Sequence, residues 1–376
     1  MVYFDHNATS PLSVPAREAW LRASEEFVGN PSSPHRLGAR AETALSSARE
    51  KLADILGCDP LDIVWTSGAT ESNNMVLHHL AAAAPDDAEV WISAIEHPCV
   101  LAPAQHYFGP RIRLIPATRS GVVELDWLKA QFQKKRSTLV AIMAANNETG
   151  VLQPWQDAVR LCNEYDVPFF CDAVQWIGKL PASGLGGADW LSGCAHKFGG
   201  PRGVGFLKCP RKGSVNPLIL GGEQEDGRRS GTENVAGILA MIAALEEAES
   251  AISKGETKIR IQLQEQFETR LRKSSPDIEV IGDRAPRLWN TTAALMPQAN
   301  CQQRWVVKLD KAGFAVSTGS ACASGKEKPS HVLNAMGFTP EESSRMIRFS
   351  SGWETTDHDW QKLLDAIASV SKEMLS

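Results

Sequence analysis

Several common features are missing from this chain, and each absence removes a class of function. No CxxC pair occurs. The eight cysteines, at 58, 99, 162, 171, 194, 209, 301 and 322, are scattered without zinc or iron–sulfur spacing. That scatter suits a reduced, cytoplasmic protein in which most thiols serve as small core residues. No uninterrupted apolar stretch approaches the roughly 18 residues needed to cross a bilayer. The opening MVYFDHNATS has no basic segment followed by an apolar run, so no signal peptide is expected. Basic clusters are scarce: Lys+Arg 39 against Asp+Glu 44 gives −5, a mild acidity that argues against nucleic acid as the main partner. Internal repeats and low-complexity segments are also lacking.

What is present is ample material for a core. Of 376 residues, 43% are hydrophobic and 22% charged, which predicts two domains or one large α/β unit and no disorder. Residues 12–27 and 37–56 read as helices, the second with Leu45, Ala48, Leu52 and Ile55 on one face and Gly57 as its stop. Between them, Pro31 and Pro34 impose a loop. Strands are expected at 63–65, 89–93, 112–116, 138–144, 167–171 and 189–192, with helices from about 70 to 84, 125 to 134 and 154 to 165. This alternation predicts a mostly parallel sheet with helices on both faces and ligands beyond the carboxyl ends of the strands. Thr70, His97, Asn147, Asp172, Gln175 and Lys197 all fall at such ends.

Residues 221–234 (GGEQEDGRRSGTEN) are too polar and glycine-rich for a core and read as a functional loop or an interface. A long helical region, 235–272, connects to a second unit with strands near 278–281, 291–295 and 346–350, and helices near 302–312 and 357–375.

The stretch from 167 to 205 organises the rest. One buried strand delivers Asp172, with Gln175 three residues on. The next delivers Cys194, His196 and Lys197, followed at once by Gly199, Gly200, Pro201, Gly203 and Gly205. An acid and a lysine, each just past a buried strand, are what pyridoxal phosphate needs: an amine to bond its aldehyde and a carboxylate to keep the pyridine nitrogen protonated. Residues 66–71 (TSGATE) form a small, hydroxylic strand-to-helix turn. It reads either as an anion site at a helix N-terminus or as an ordinary cap with Thr70 as capping residue. Residues 317–330 (STGSACASGKEKPS) place Cys322 in a small polar loop. The thiol there is either a candidate nucleophile or a loop cysteine of no consequence.

Nine motifs resemble, in order, those of the cysteine desulfurases of the NifS/IscS type: GNPSSPH, TSGATESNN, Glu96-His97, NNETG, DAVQ at 172–175, AHK at 195–197, RSGTEN, SACAS and IRFS at 347–350. The match runs from Tyr3 to about Thr356. The resemblance implies a fold-type-I pyridoxal-phosphate fold. Its large cofactor-binding domain would span residues 13–255. A smaller α+β domain, residues 1–12 and 256–376, would carry the catalytic cysteine loop. It implies a cytoplasmic homodimer that converts L-cysteine to L-alanine and passes sulfur to an iron–sulfur scaffold or another acceptor protein.

By the same resemblance, Lys197 would bind the cofactor covalently, Asp172 would pair with its ring nitrogen, His97 would stack on the ring and move protons, and Gln175 would bond the ring hydroxyl. Ala69, Thr70, Cys194 and His196 would hold the phosphate, joined by Thr232 from the other subunit. Asn147 and Arg348 would take the substrate carboxylate, and Cys322 would accept the sulfur as a persulfide. Alternatives on the same fold are a selenocysteine lyase, a β-lyase or an aminotransferase, none of which calls for the Cys322 loop. Three positions depart from the pattern: Cys194 stands where the family usually has Ser, Trp353-Glu354 follow Gly352 where Gly-Arg is usual, and Lys328 stands where an acid is common.

Overall fold

The computed structural model describes residues 1–210, 215–298, 302–319 and 329–375. In chain order the elements are β1 (Val2–Tyr3), α1 (Val14–Glu26), α2 (Arg36–Leu56), β2 (Ile63–Thr66), α3 (Ala69–Ala83), β3 (Val90–Ser93), α4 (Pro98–Phe108), β4 (Ile112–Ile115), α5 (Leu125–Phe132), β5 (Leu139–Ala141), α6 (Trp155–Glu164), β6 (Phe169–Asp172), β7 (Trp190–Cys194) and β8 (Gly205–Lys208). The second half holds α7 (Val235–Ser253), α8 (Glu256–Ser274), β9 (Glu279–Val280), β10 (Thr291–Leu295), α9 (Gln302–Lys311), β11 (Phe314–Ala315), α10 (His331–Ala335), α11 (Pro340–Ser344), β12 (Met346–Ser350) and α12 (Asp357–Leu375).

Seven strands form the central sheet in the order β2-β8-β7-β6-β5-β3-β4. From β7 to β4 all pairs are parallel, while β8 runs antiparallel to both β7 and β2. Apart from the edge strand β4, the strands are short buried runs because both faces are covered. Alternate side chains serve opposite layers. In β3, Trp91 packs into one cluster with Leu45, Leu52, Ile238 and Met241, while Val90 and Ile92 pack into the other with Met75, Leu80, Val100 and Phe108. Phe169 and Phe170 divide in the same way.

A separate cluster gathers Phe4 with residues of the second half. Phe4 and Phe267 both pack on Trp360, with ring centroids 4.6 and 4.4 Å away. Here β12, β10 and β9 form an antiparallel sheet, and β1 pairs in parallel with β11.

One local expectation needs correction, and two elements, α4 and β8, were not among the expectations. The helical region 235–272 is two helices, broken at Gly255, whose φ of +78° suits glycine. Helix α4 was hidden by its prolines. Pro98 sits in the first turn, where its missing N–H has no partner to lose, and Pro103 lies buried inside the helix. The glycine-rich run after Lys197 does bend sharply, and it then enters β8.

Candidate cofactor site

The sheet's strand ends open into a cavity of about 980 Å³. Ala69, Thr70, His97, Asn147, Asp172, Gln175, Cys194, His196, Lys197 and Arg348 all line it. Thr232 is exposed on its loop and does not line the cavity of this chain. Cys322 and Lys328 lie outside the described residues. Gly319 on one side of that segment, and Pro329, Ser330 and His331 on the other, border the cavity.

Helix α3 starts at the cavity wall. Its N-cap is Gly68, at φ +153° and ψ 174°, a conformation that side chains disfavour, and glycine offers no side chain of its own to cap the helix. The capping role read for Thr70 is therefore not observed: Thr70 is the second helical residue and is exposed at the cavity. The turn lies directly on β8, where a Cβ at Gly205 would come within 2.6 Å of Gly68 Cα. Uncapped N–H groups and the positive end of the helix favour an anion there.

Asp172, 5% exposed, ends β6. It accepts from Val174 N at 3.0 Å and from Asn73 Nδ2 at 2.9 Å. Asn73 also donates to Cys99 Sγ at 3.0 Å, and that thiol lies 2.8 Å from His97 Nδ1. His97 caps α4, its Nδ1 accepting from Cys99 N at 3.2 Å, which leaves the ring proton on Nε2. Burial, with the Lys197 and His331 charges, lowers the His97 pKa, while Asp172 opposes the shift. His196 lies 3.2 Å from Thr9 Oγ1, and burial followed by the charges of Lys197 and Arg202 pushes it down to about 4. Burial raises the Cys194 thiol to about 11, so it is neutral at physiological pH.

The amine of Lys197 donates to the carbonyls of Asn7 and Ala8 at 2.7 and 2.8 Å. Arg348, 1% exposed, donates to Asp5 Oδ1 at 2.6 Å, Asn147 O at 2.8 Å and Gly319 O at 3.4 Å.

Sequence reading missed Asn7, which is 1% exposed. Its Nδ2 donates to Thr291 Oγ1 at 2.8 Å and Asn147 O at 3.2 Å, and its Oδ1 accepts from Asn290 Nδ2 at 3.0 Å. None of the nine motifs covers its DHNAT segment, residues 5–9. Arg202 at the cavity's edge was missed too, because it sits in the glycine run. Trp353, a departure from the family pattern, does not line the cavity. It donates to Gly178 O at 3.1 Å behind the site.

The donor set fits pyridoxal phosphate. A buried carboxylate, a lysine amine and a helix start with glycine at its N-cap share one cavity, and Asn147 Oδ1 and Arg348 Nε on its wall are buried without partners among the described residues. Among the described residues no cluster of His, Cys, Asp or Glu could hold a metal ion.

Comparison with known proteins agrees. The profile of the aminotransferase class-V family matches residues 2–363. The chain is 39% identical over 378 residues to the cysteine desulfurase IscS of Dictyoglomus turgidum, covering 99% of this chain and 95% of that one. It superposes on the solved structure of a NifS-like protein with a TM-score of 0.90 and 33% identity over 99% of each chain. It also superposes on SspA in complex with cysteine, with a TM-score of 0.80 and 30% identity over 93% of this chain and 98% of that one. With fold, cavity and kinship in agreement, this chain belongs to the aminotransferase class-V family and, within it, to the pyridoxal-phosphate-dependent cysteine desulfurases.

Proposed function

We propose that this protein converts L-cysteine to L-alanine and transfers the sulfur to Cys322 for iron–sulfur cluster or other thio-cofactor biosynthesis. The observation that carries the reading is the convergence of Lys197, Asp172 and His97 on one cavity bordered by both flanks of the Cys322 segment. Bound pyridoxal phosphate supplies an electron-withdrawing ring that stabilises negative charge at the substrate's α-carbon. Lys197 holds the cofactor. Asp172, fixed by Asn73 and Val174 N, keeps the ring nitrogen protonated. The N-terminus of α3, with Ala69, Thr70, Cys194 and His196, receives the phosphate, and Thr232 of a second copy completes it. Gln175 bonds the ring hydroxyl.

Arg348 and Asn147 orient the substrate carboxylate. The Arg348 fork, seated on Asp5, has its Nε, partnerless among the described residues, left to donate. His97, neutral and with Nε2 carrying the proton, is suited to stack and to exchange protons with the substrate. The Cys322 thiolate then bonds the substrate sulfur, and the Cβ–S bond breaks with its electron pair left on carbon. A proton on that carbon completes alanine.

A homodimer fits the exposure of Thr232 on a loop whose Ser230 N bonds Ile219 O at 3.4 Å, with Ile219 and Leu220 39% and 80% exposed. The two-unit division at residues 13–255 against 1–12 and 256–376 is supported by the packing of Phe4 with the cluster of the second half. Among the described residues no helix is long and apolar enough to cross a membrane, and we place the enzyme in the cytoplasm with an acceptor protein as sulfur partner.

The test is direct. Purified protein given L-cysteine and a thiol reductant should release alanine and sulfide in equal amounts. Cys322→Ser should keep the cofactor's visible band and lose both products. Normal turnover by that variant refutes the assignment.

A further inference from the structure

Behind the cavity lies a lysine that the proposed reaction does not use. Lys179 is 3% exposed. Among the described residues its amine bonds two amide oxygens and no carboxylate: Asn7 Oδ1 at 3.2 Å and the closely placed Gln175 Oε1. The titratable groups facing it are Lys197, Arg348, Cys194, His6 and His196. Its backbone is clamped as well. Trp289 Nε1 donates to Lys179 O at 2.8 Å and Trp353 Nε1 to Gly178 O at 3.1 Å, with the two indoles stacked at a tilt 4.5 Å apart.

We propose that Lys179 is a positioning residue that fixes the Gln175 amide, so that nitrogen rather than oxygen faces the bound cofactor. This deepens the proposed function and rests on it.

The argument is one of donors and acceptors. A lysine amine approaching an amide oxygen donates, so Gln175 must turn Oε1 toward Lys179. One Nε2 hydrogen then goes to Asn7 O at 3.0 Å, and the second is left for a group in the cavity that Gln175 lines. Asn7 is fixed by the same amine, and its carbonyl also receives Lys197 Nζ at 2.7 Å. One buried amine thus orders both the donor to the ring hydroxyl and a carbonyl that aligns the cofactor-binding lysine. Burial, with Lys197 and Arg348 nearby, holds the Lys179 pKa well below that of an ordinary lysine. Retaining such a group in a core is costly unless its hydrogen bonds are used.

An N–H aimed at the ring hydroxyl stabilises its deprotonated form. Losing it raises the pH at which the bound cofactor's visible absorbance changes. Wild type, Lys179→Met, Lys179→Gln, Gln175→Leu and the Lys179→Met/Gln175→Leu double variant are titrated spectroscopically as holoenzymes. Their cofactor content and thermal melts are recorded alongside.

Lys179→Met and Gln175→Leu should each raise the midpoint by about one pH unit. The double variant should move no further than Gln175→Leu alone, and Lys179→Gln, which keeps a donor, should fall between wild type and Lys179→Met. A Lys179→Met midpoint equal to wild type, or shifts that add in the double variant, overturns the proposal even if melting temperature falls. Should Lys179→Met fail to fold, Lys179→Gln against Gln175→Leu decides by the same criterion. Loss of the visible band from wild type itself overturns the underlying cofactor assignment instead.

Discussion

Replacing Glu225 by alanine tests how the loop of residues 221–234 is held on the sheet. The Glu225 carboxylate accepts from Arg49 Nη2 at 2.9 Å, Arg49 Nη1 at 3.0 Å and Trp65 N at 3.0 Å. The pair is well buried, with side-chain exposures of 17% for Arg49 and 2% for Glu225. An exposed pair would contribute only ~0–1 kcal/mol. Removing one partner of a buried pair strands the other charge, so Glu225→Ala should cost about 3–5 kcal/mol. Backbone strain does not alter the comparison: Glu225 sits at φ +52°, and alanine is disfavoured there much as glutamate is. The control is the Arg49→Met/Glu225→Ala double variant, set against each single change, which removes both charges together. Urea unfolding at one protein concentration should show the double variant less destabilised than the sum of the single changes, with a coupling of ~2 kcal/mol or more. A cost under ~1 kcal/mol for Glu225→Ala, or simple additivity, refutes the reasoning. Because Thr232 belongs to the same loop, Glu225→Ala should also loosen cofactor binding in the assembled protein.

Two further outcomes follow from the site. His196 has a folded pKa near 4 against 6.5 for an ordinary histidine. The unfolded chain therefore binds a proton that the folded chain refuses, and stability present above pH 6.5 is lost as pH falls from 6.5 toward 4. His196→Gln should flatten that fall in urea midpoints measured at pH 7 and 4.5, and an unchanged slope argues against it. Cys194→Ser replaces a neutral thiol by a better hydrogen-bond donor at the end of β7 and should tighten cofactor binding roughly three- to tenfold in equilibrium dialysis. Equal or weaker binding in Cys194→Ser refutes a phosphate-facing role for this side chain.

The parallel sheet was legible because β3, β6 and β7 are short runs whose two faces are both buried, and helices of ordinary period fall between β3 and β6. The site followed from one rule, that ligands bind beyond strand ends, which selected Asp172, Lys197 and His97 together. The strand β8 was not legible, since it begins at Gly205 within a glycine-rich run whose composition says bend. Lys179 and Asn7 were not legible for a different reason. Their partners are set by tertiary contact: Lys179 reaches across 172 residues to Asn7, and Asn7 across 284 to Thr291. No local pattern encodes such a meeting. Trp353 read as a departure from the family pattern, and its indole supports Gly178 from behind.

The position of the N-terminal segment constrains when the molecule can be completed during synthesis. Asn7 N bonds Ser350 Oγ, 343 residues further on, and β1 pairs with β11. At about 5–20 residues per second, the ribosome needs roughly 17–70 s between making the two ends of that contact. When the central sheet up to β8 has emerged, part-way through that interval, the carbonyls that meet Lys197 still have no finished floor to rest on. Cofactor capture is therefore a late event in the life of each chain. A bulky fusion ahead of Val2 should slow capture more than one placed after α12.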